Sequence, residues 1–323
     1  MNKDLLFYSK KFAKLRVDRV RGIAPHKPIL ILSAIALIQQ EVITQNRIFL
    51  SPELIATFLK YWSHLGSESH RSDIAQPFFH LQGDGFWHLK AKVGFEPVIN
   101  SKVKIKTLSG LRDAVQYAYF DDELFELIQD PSSRSGLIDV LVNTWFSDKT
   151  SQIAQLFQIN SFQEFQDRLR EQGGIVYSAD EIEDESRLIV RDAAFRKIVV
   201  SAYEFRCAFC ELQILNSLNQ HIVDGAHIKP FSQFRDDRFD NGLSLCKNHH
   251  WAFDRGWFTV DDDYRIIVSE DLREASPHAR TMRDFHGQYI ALPAQQSYFP
   301  RIDALRWHRE NVFNHGEQLF LTY

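Results

Sequence analysis

Ile29 to Ile38 is apolar at almost every position. Such a run has no polar face, so it predicts a helix over 29–40 buried on all sides. It is about half the length that a membrane span needs. "SPELIATFLKYWSHLG" reads differently: Ser51 can cap a helix, Pro52 suits its first position and Gly66 its end. Within it Leu54, Ile55, Phe58, Leu59 and Trp62 fall on one face. In "PFFHLQGDGFWHLKAK" apolar and polar positions alternate on either side of Gly83-Asp84-Gly85, a pattern that predicts a β-hairpin. Two or three further helices are expected between Leu108 and Phe146.

From Thr150 to Val190 the pattern turns polar and then acidic, with Gly173-Gly174 and "ADEIEDES". This span, 151–190, reads as a helix and a linker. It separates a domain over 1–150 from a second over 191–323. The fold class expected is α+β: a mainly helical first domain with a hairpin, and a second domain of strands and helices.

With 323 residues, 44% apolar and 25% charged, the composition is that of a folded two-domain protein. No secretory h-region opens the chain and three cysteines cannot all pair, so the expectation is a cytoplasmic protein with free thiols. The net charge of −4 hides a gradient. Met1 to Pro28 carries eight Lys or Arg against Asp4 and Asp18, whereas Ser161 to Val190 carries eight acids against three Arg. A basic N-terminal segment can follow a phosphate backbone, although a solvated helix face has the same composition.

All three cysteines lie beyond Arg191, in two knuckles: Cys207-x2-Cys210 and Cys246-x2-His249. Four such donors suit a closed tetrahedral structural Zn²⁺ site. In "LCKNHHWAFD", the neighbour His250 points about 100° away from His249 on a helix capped by Asn248 and ended by Gly256. His250 and Asp254 then share a face at i and i+4 and could hold a second cation, or form an ordinary surface pair. Upstream, "HIVDGAHIKP" alternates like a strand, with Asp224 and Ala226 on one face. A polar loop and the short strand "NGLSLC" follow.

"AHIKP", "DNGLSLC" and "HHWAFDRG" in that order resemble the HNH nuclease family and its ββα-metal fold, over roughly Arg191 to Phe313. The resemblance implies catalytic roles for three residues: His227 as general base, Asn241 as the residue whose amide holds the loop, and His250 as metal ligand. Asp254 matches the acidic position one turn on. The implied cofactor is Mg²⁺ or Mn²⁺, and the implied products are a 5′-phosphate and a 3′-hydroxyl. Many members carry a metal-binding residue where this chain has Ala226, and Asp224 could substitute for it. An inactive nuclease site, leaving a DNA-binding protein, is therefore one alternative.

"RGIAPHKPILIL" and "QPFFHLQGDGFWHL" resemble the sulfur-binding domain of phosphorothioate-dependent restriction enzymes, over about residues 5 to 150. The resemblance implies a cup for sulfur at Pro77 and Phe78 beside cations from Arg21, His26 or Lys27. Phe79 and Trp87 read better as core, and His26 could instead cap a helix. His70 and His80 carry no spacing signal. The whole then reads as a modification-dependent endonuclease acting on phosphorothioated double-stranded DNA. A reader of methylated DNA is the alternative within the enzyme class. A homodimer would supply one site per strand.

Overall fold

The structure is a computed structural model that describes residues 3–100, 105, 107–149, 153, 155–182, 184–217, 220–276 and 279–314. The chain divides into two compact units: Met1–Glu164 with Asp184–Val190, and Phe165–Glu183 with Arg191–Tyr323. No helix among the described residues is long and apolar enough to cross a membrane.

The first unit is built around one buried helix. Its elements are α1 Leu5–Ala13, α2 His26–Gln39, α3 Pro52–Leu65, α4 Ala75–His80, β1 Trp87–Ala91, α5 Glu96–Asn100, α6 Leu108–Ala114, β2 Val115–Phe120, α7 Asp122–Gln129 and α8 Pro131–Trp145. From Lys27 to Ile38 every residue of α2 is buried, as its unbroken apolar pattern requires. Each Leu or Ile so buried contributes roughly 1.5–3 kcal/mol relative to exposure. Ser33, polar in that setting, donates its hydroxyl to the Ile29 carbonyl at 2.8 Å. Helix α3 starts where the cap predicts: the Ser51 hydroxyl accepts from the Leu54 amide at 3.3 Å, and Pro52 opens the helix.

The hairpin expected around Gly83-Asp84-Gly85 does not form. Pro77 to His80 lie in α4, Leu81–Asp84 make a 3-10 turn, and β1 pairs antiparallel with the distant β2, Trp87 opposite Phe120. The reason is Asp84. Instead of sitting at a solvated turn tip it is buried, accepting from Lys27 Nζ at 2.6 Å and from the Arg16 amide at 2.8 Å.

The second unit contains the Arg191–Ala202 part of the helix α10 Glu185–Ala202; α9 Ser161–Gln172 precedes it in the chain. Then follow β3 Val223–His227, the short α11 Phe231–Phe234, β4 Gly242–Cys246 and α12 Lys247–Phe253. The order is strand, loop, strand, helix. Strands β3 and β4 pair antiparallel, with Val223 opposite Cys246 and His227 opposite Gly242. A Cβ on Gly225 would stand 2.8 Å from the Arg196 Cα, so glycine lets α10 lie directly on β3. The residue before α12 is Cys246, which places Asn248 inside the first turn rather than at the cap. Gly256, at φ +68°, ends the turn after the helix, and a Cβ there would meet the Val312 carbonyl at 2.0 Å.

Strands β5 Phe258–Val260 and β6 Ile266–Val268 and the helix α13 Ile302–Asn311 complete this unit. His308 of α13 is 1% exposed and stacks on Phe253 at 3.7 Å. Its Nε2 donates to the Phe253 carbonyl at 3.0 Å, and its Nδ1 accepts from the Thr259 hydroxyl at 2.9 Å. Burial, against the opposing bond to Phe253, lowers its pKa from 6.5 to about 4. Between those values the unfolded chain binds the extra proton. This contribution to stability is therefore whole above pH 6.5 and is lost as pH falls toward 4, by on the order of 3 kcal/mol. Urea titrations at pH 7.5 and 4.5 should show this slope in the wild type and a flatter one in His308→Gln. Equal slopes in the two proteins would contradict it.

Candidate functional site

Three groupings of side chains stand out, two of them on the strand–strand–helix segment. The first is the cluster Cys207, Cys210, Cys246 and His249, whose ligand atoms all lie within 4.8 Å of one another. Strand β4 delivers Cys246, and the first turn of α12 brings His249 Nδ1 to 3.1 Å from its sulfur. The Cys207 sulfur is 3.6 Å from the same nitrogen. The first knuckle is tied to β4 by the Ala208 amide, which donates to the Ser244 carbonyl at 2.6 Å. Bonds from Cys207 and Cys210 favour the thiolate at Cys246, while bonds to Cys210 and Cys246 disfavour it at Cys207. Burial opposes a charge on His249, yet its bonds to Cys210 and Cys246 raise it to about 9. A tetrahedral zinc needs its donors about 3.5–3.8 Å apart, so the cluster could bind zinc with little adjustment. Zinc takes the cysteines as thiolates and the histidine neutral, so its binding would release protons.

The second grouping centres on His250, which faces away from that cluster. Its Nδ1 lies 3.6 Å from Asp224 of β3, and its Nε2 lies 3.7 Å from Asp254. Bonding to His250, against the cost of burial, and then to Lys247 lowers the Asp224 carboxyl to about 2. The two carboxylates thus approach different ring nitrogens, so only one of them can share a cation with the imidazole while the other orients the ring. Oxygen and imidazole donors suit a hard divalent ion. Ala226 is wholly buried and offers no donor.

On the same strand His227 is held on three sides. Phe195 stacks on its ring at 3.9 Å with a 6° tilt, and Phe231 lies 5.8 Å away. Its Nε2 meets Asp237 at 2.8 Å. Asn241 is fully buried and spans the base of the loop: its Oδ1 accepts from the Lys229 amide at 2.9 Å, and its Nδ2 donates to the carbonyls of Lys229 and Asp236. The sequence reading missed Asp237. It sits in a polar loop among other acids, and no spacing signal separates it from Asp236 or Asp240.

The third grouping lies in the first unit, a groove of about 970 Å³ lined by Arg16, Arg21, Lys27, Arg71 and Pro77 among others. Arg21, His26, Lys27 and Pro77 all line this groove, whereas Phe78 does not. Phe78 is 0% exposed, packs edge-on against Trp87 at 5.3 Å and belongs to the core; α4 turns Pro77, not its neighbour, to the groove. The Lys27 ammonium is spent on Asp84. His26 also lines the groove; it is tied by Nε2 to the Arg71 carbonyl at 2.9 Å, and burial, against that bond, lowers its pKa from the usual histidine value. Arg21 is exposed at the rim. Arg71, His70 and His80 also line the groove, brought there by the loop before α4 and by α4 itself. Nothing in their sequence spacing marks them.

Comparison with known proteins gives each unit an affinity. Residues 207–261 match the HNH endonuclease family model. Residues 8–158 match the model of the ScoMcrA-like DNA sulfur-binding domain. Among solved structures, the modification-dependent TagI restriction endonuclease matches at 24% identity over 40% of this chain and 41% of its own, with a TM-score of 0.30. The chain therefore spans less than half of that relative. The sulfur binding domain of SprMcrA complexed with phosphorothioated DNA matches at 16% over 49% and 95%, with a TM-score of 0.39. The type IV phosphorothioation-dependent restriction endonuclease ScoMcrA matches at 11% over 76% and 94%, with a TM-score of 0.35. No curated protein matches the chain. The chain carries an HNH endonuclease domain and a ScoMcrA-like DNA sulfur-binding domain.

Proposed function

We propose that this protein is a modification-dependent restriction endonuclease that binds phosphorothioated DNA and hydrolyses phosphodiester bonds nearby. The observation that carries the reading is the presence in one chain of a sulfur-binding domain over 8–158 and an HNH domain over 207–261. Reading of the modification is assigned to 1–150 and cleavage to 191–323, with 151–190 divided between the two units.

In a phosphorothioate, sulfur replaces one non-bridging oxygen. It is larger, more polarisable and a weaker acceptor, so it loses less on leaving water. Pro77 is the apolar contact for it, and Arg21 and Arg71 at the same groove are the phosphate contacts that fix register.

In the HNH domain His227 takes a proton from water, and Asn241 keeps the loop closed behind it. His250, with Asp224 or Asp254, would hold Mg²⁺ or Mn²⁺. When bound, such an ion polarises the scissile phosphate and stabilises the leaving oxygen. Zn²⁺ at Cys207, Cys210, Cys246 and His249 is structural and takes no part in the chemistry.

The test is cleavage of one duplex sequence prepared unmodified, phosphorothioated or methylated, across several divalent ions. We expect nicking of the sulfur-bearing duplex with Mn²⁺ or Mg²⁺ at least tenfold above the others. Equal cutting of all three duplexes, or a preference for the methylated one, would overturn the reading.

A further inference from the structure

We infer that Asp237, braced by Arg191, is the positioning residue that fixes His227 as the tautomer with its proton on Nε2 and so leaves Nδ1 as the basic nitrogen. The inference rests on the nuclease reading above for its consequence, but on geometry alone for the tautomer.

Asp237 is 1% exposed, and its carboxylate meets one guanidinium nitrogen and one imidazole nitrogen. Arg191 Nη1 reaches its two oxygens at 3.0 and 3.1 Å. His227 Nε2 lies 2.8 Å from Oδ1. A carboxylate paired with a guanidinium only accepts, so the nitrogen facing it must carry hydrogen. In a neutral imidazole the other nitrogen, Nδ1, then has the lone pair. Phe195, stacked on the ring face at 3.9 Å, holds the plane of the ring and so keeps Nε2 toward Asp237.

The brace is built from several elements. Arg191 lies on α10, with its guanidinium 3.2 Å above the Phe231 ring and 4.0 Å from Asp192. The backbone at 173–177 straps Asp237 from the other side. The Asp237 amide donates to the Ile175 carbonyl at 2.9 Å, the Phe239 amide to that of Gly173, and the Tyr177 amide to that of Arg235. Gly174, at φ +93°, allows this approach, since a Cβ there would stand 2.3 Å from the Asp237 carbonyl. Burial, and then the Asp237 charge, raise the pKa of Tyr177.

The consequence for hydrolysis is definite. One water gives its proton to His227 Nδ1, and its oxygen bonds to phosphorus. The bond from phosphorus to the 3′ oxygen breaks, that oxygen takes a proton from solvent, and Nδ1 later returns its proton to solvent. Asp237 touches none of the reacting atoms and acts only through His227.

The test uses the full-length protein labelled with ¹⁵N-histidine at pH 8, with the His227 signal assigned by its loss in His227→Gln. In the wild type, long-range ¹H–¹⁵N spectra should show Nε2 protonated and Nδ1 bare. Asp237→Asn can donate as well as accept, so it should mix the tautomers and lower kcat on phosphorothioated DNA by about 10²–10⁴-fold. KM should stay within twofold. Arg191→Lys, which keeps the charge but loses the planar guanidinium seated over the Phe231 ring, should fall between, and guards against misfolding of the first variant. A wild-type His227 protonated on Nδ1, or Asp237→Asn with wild-type tautomer and kcat, overturns the inference. A wild type that cuts no DNA overturns the nuclease reading instead, while the spectra still decide the tautomer.

Discussion

Cys246→Ser is expected to release zinc from the full-length protein and to abolish the cooperative unfolding of its C-terminal unit. Cys246 closes β4, precedes α12 and supplies one of four donors at a point where strand, helix and the first knuckle meet. Structural zinc contributes on the order of 10 kcal/mol of folding free energy. A whole domain keeps only about 5–15 kcal/mol of net stability, so loss of the site leaves little or nothing. Metal content should fall from about one zinc per chain to near zero. In urea or heat the transition of the Cys-containing unit should vanish while that of the unit around α2 persists. A chelator should act on the wild type in the same direction. His250→Ala is the control that divides the neighbouring histidines: it faces Asp224 and Asp254, so zinc and folding should both survive. Wild-type zinc content and melting in Cys246→Ser would rule out a structural role for the cluster.

The two histidines also mark how far the sequence can be read. Spacing is informative where chemistry demands that donors converge. Two knuckles of x2 separation leave few geometries open, and on a helix adjacent residues must diverge. Hence the meeting of Cys207, Cys210, Cys246 and His249, and the pairing of His250 with Asp254 one turn on, were legible from spacing, whereas Asp224 entered only through the family resemblance. The α2 core was legible for a related reason, since a helix without a polar face can only be buried. What escaped depends on tertiary partners. Gly83-Asp84-Gly85 carries the signal of a tight turn, but Lys27 and the Arg16 amide make Asp84 a buried anchor, and β1 finds β2 some thirty residues on. Phe78 and Pro77 are adjacent and both buried, yet only Pro77 also lines the groove. Asp237 lies ten residues from His227 in a loop where acids abound, and only Arg191 and the strap at 173–177 single it out.

His227→Ala is expected to abolish nicking while leaving DNA binding intact. A positioned general base contributes typically 10²–10⁴-fold, and without the imidazole only bulk water remains to take the proton. The side chain is tethered by Asp237 and sandwiched by Phe195, so its loss opens a small space on β3 but removes no zinc donor and no groove residue. Affinity for a phosphorothioated duplex, set in the first unit, should therefore change less than twofold, and zinc content not at all. The rate of nicking a sulfur-bearing supercoiled plasmid with Mn²⁺ should drop by at least 10²-fold. Asn241→Ala should also lose activity, but with a lower melting temperature, because its amide closes the loop from Lys229 to Asp236. That contrast separates the two roles: one variant is silent and stable, the other silent and loosened. If His227→Ala nicks as fast as the wild type, the proton is taken by another group and the assignment of β3 as the catalytic strand fails.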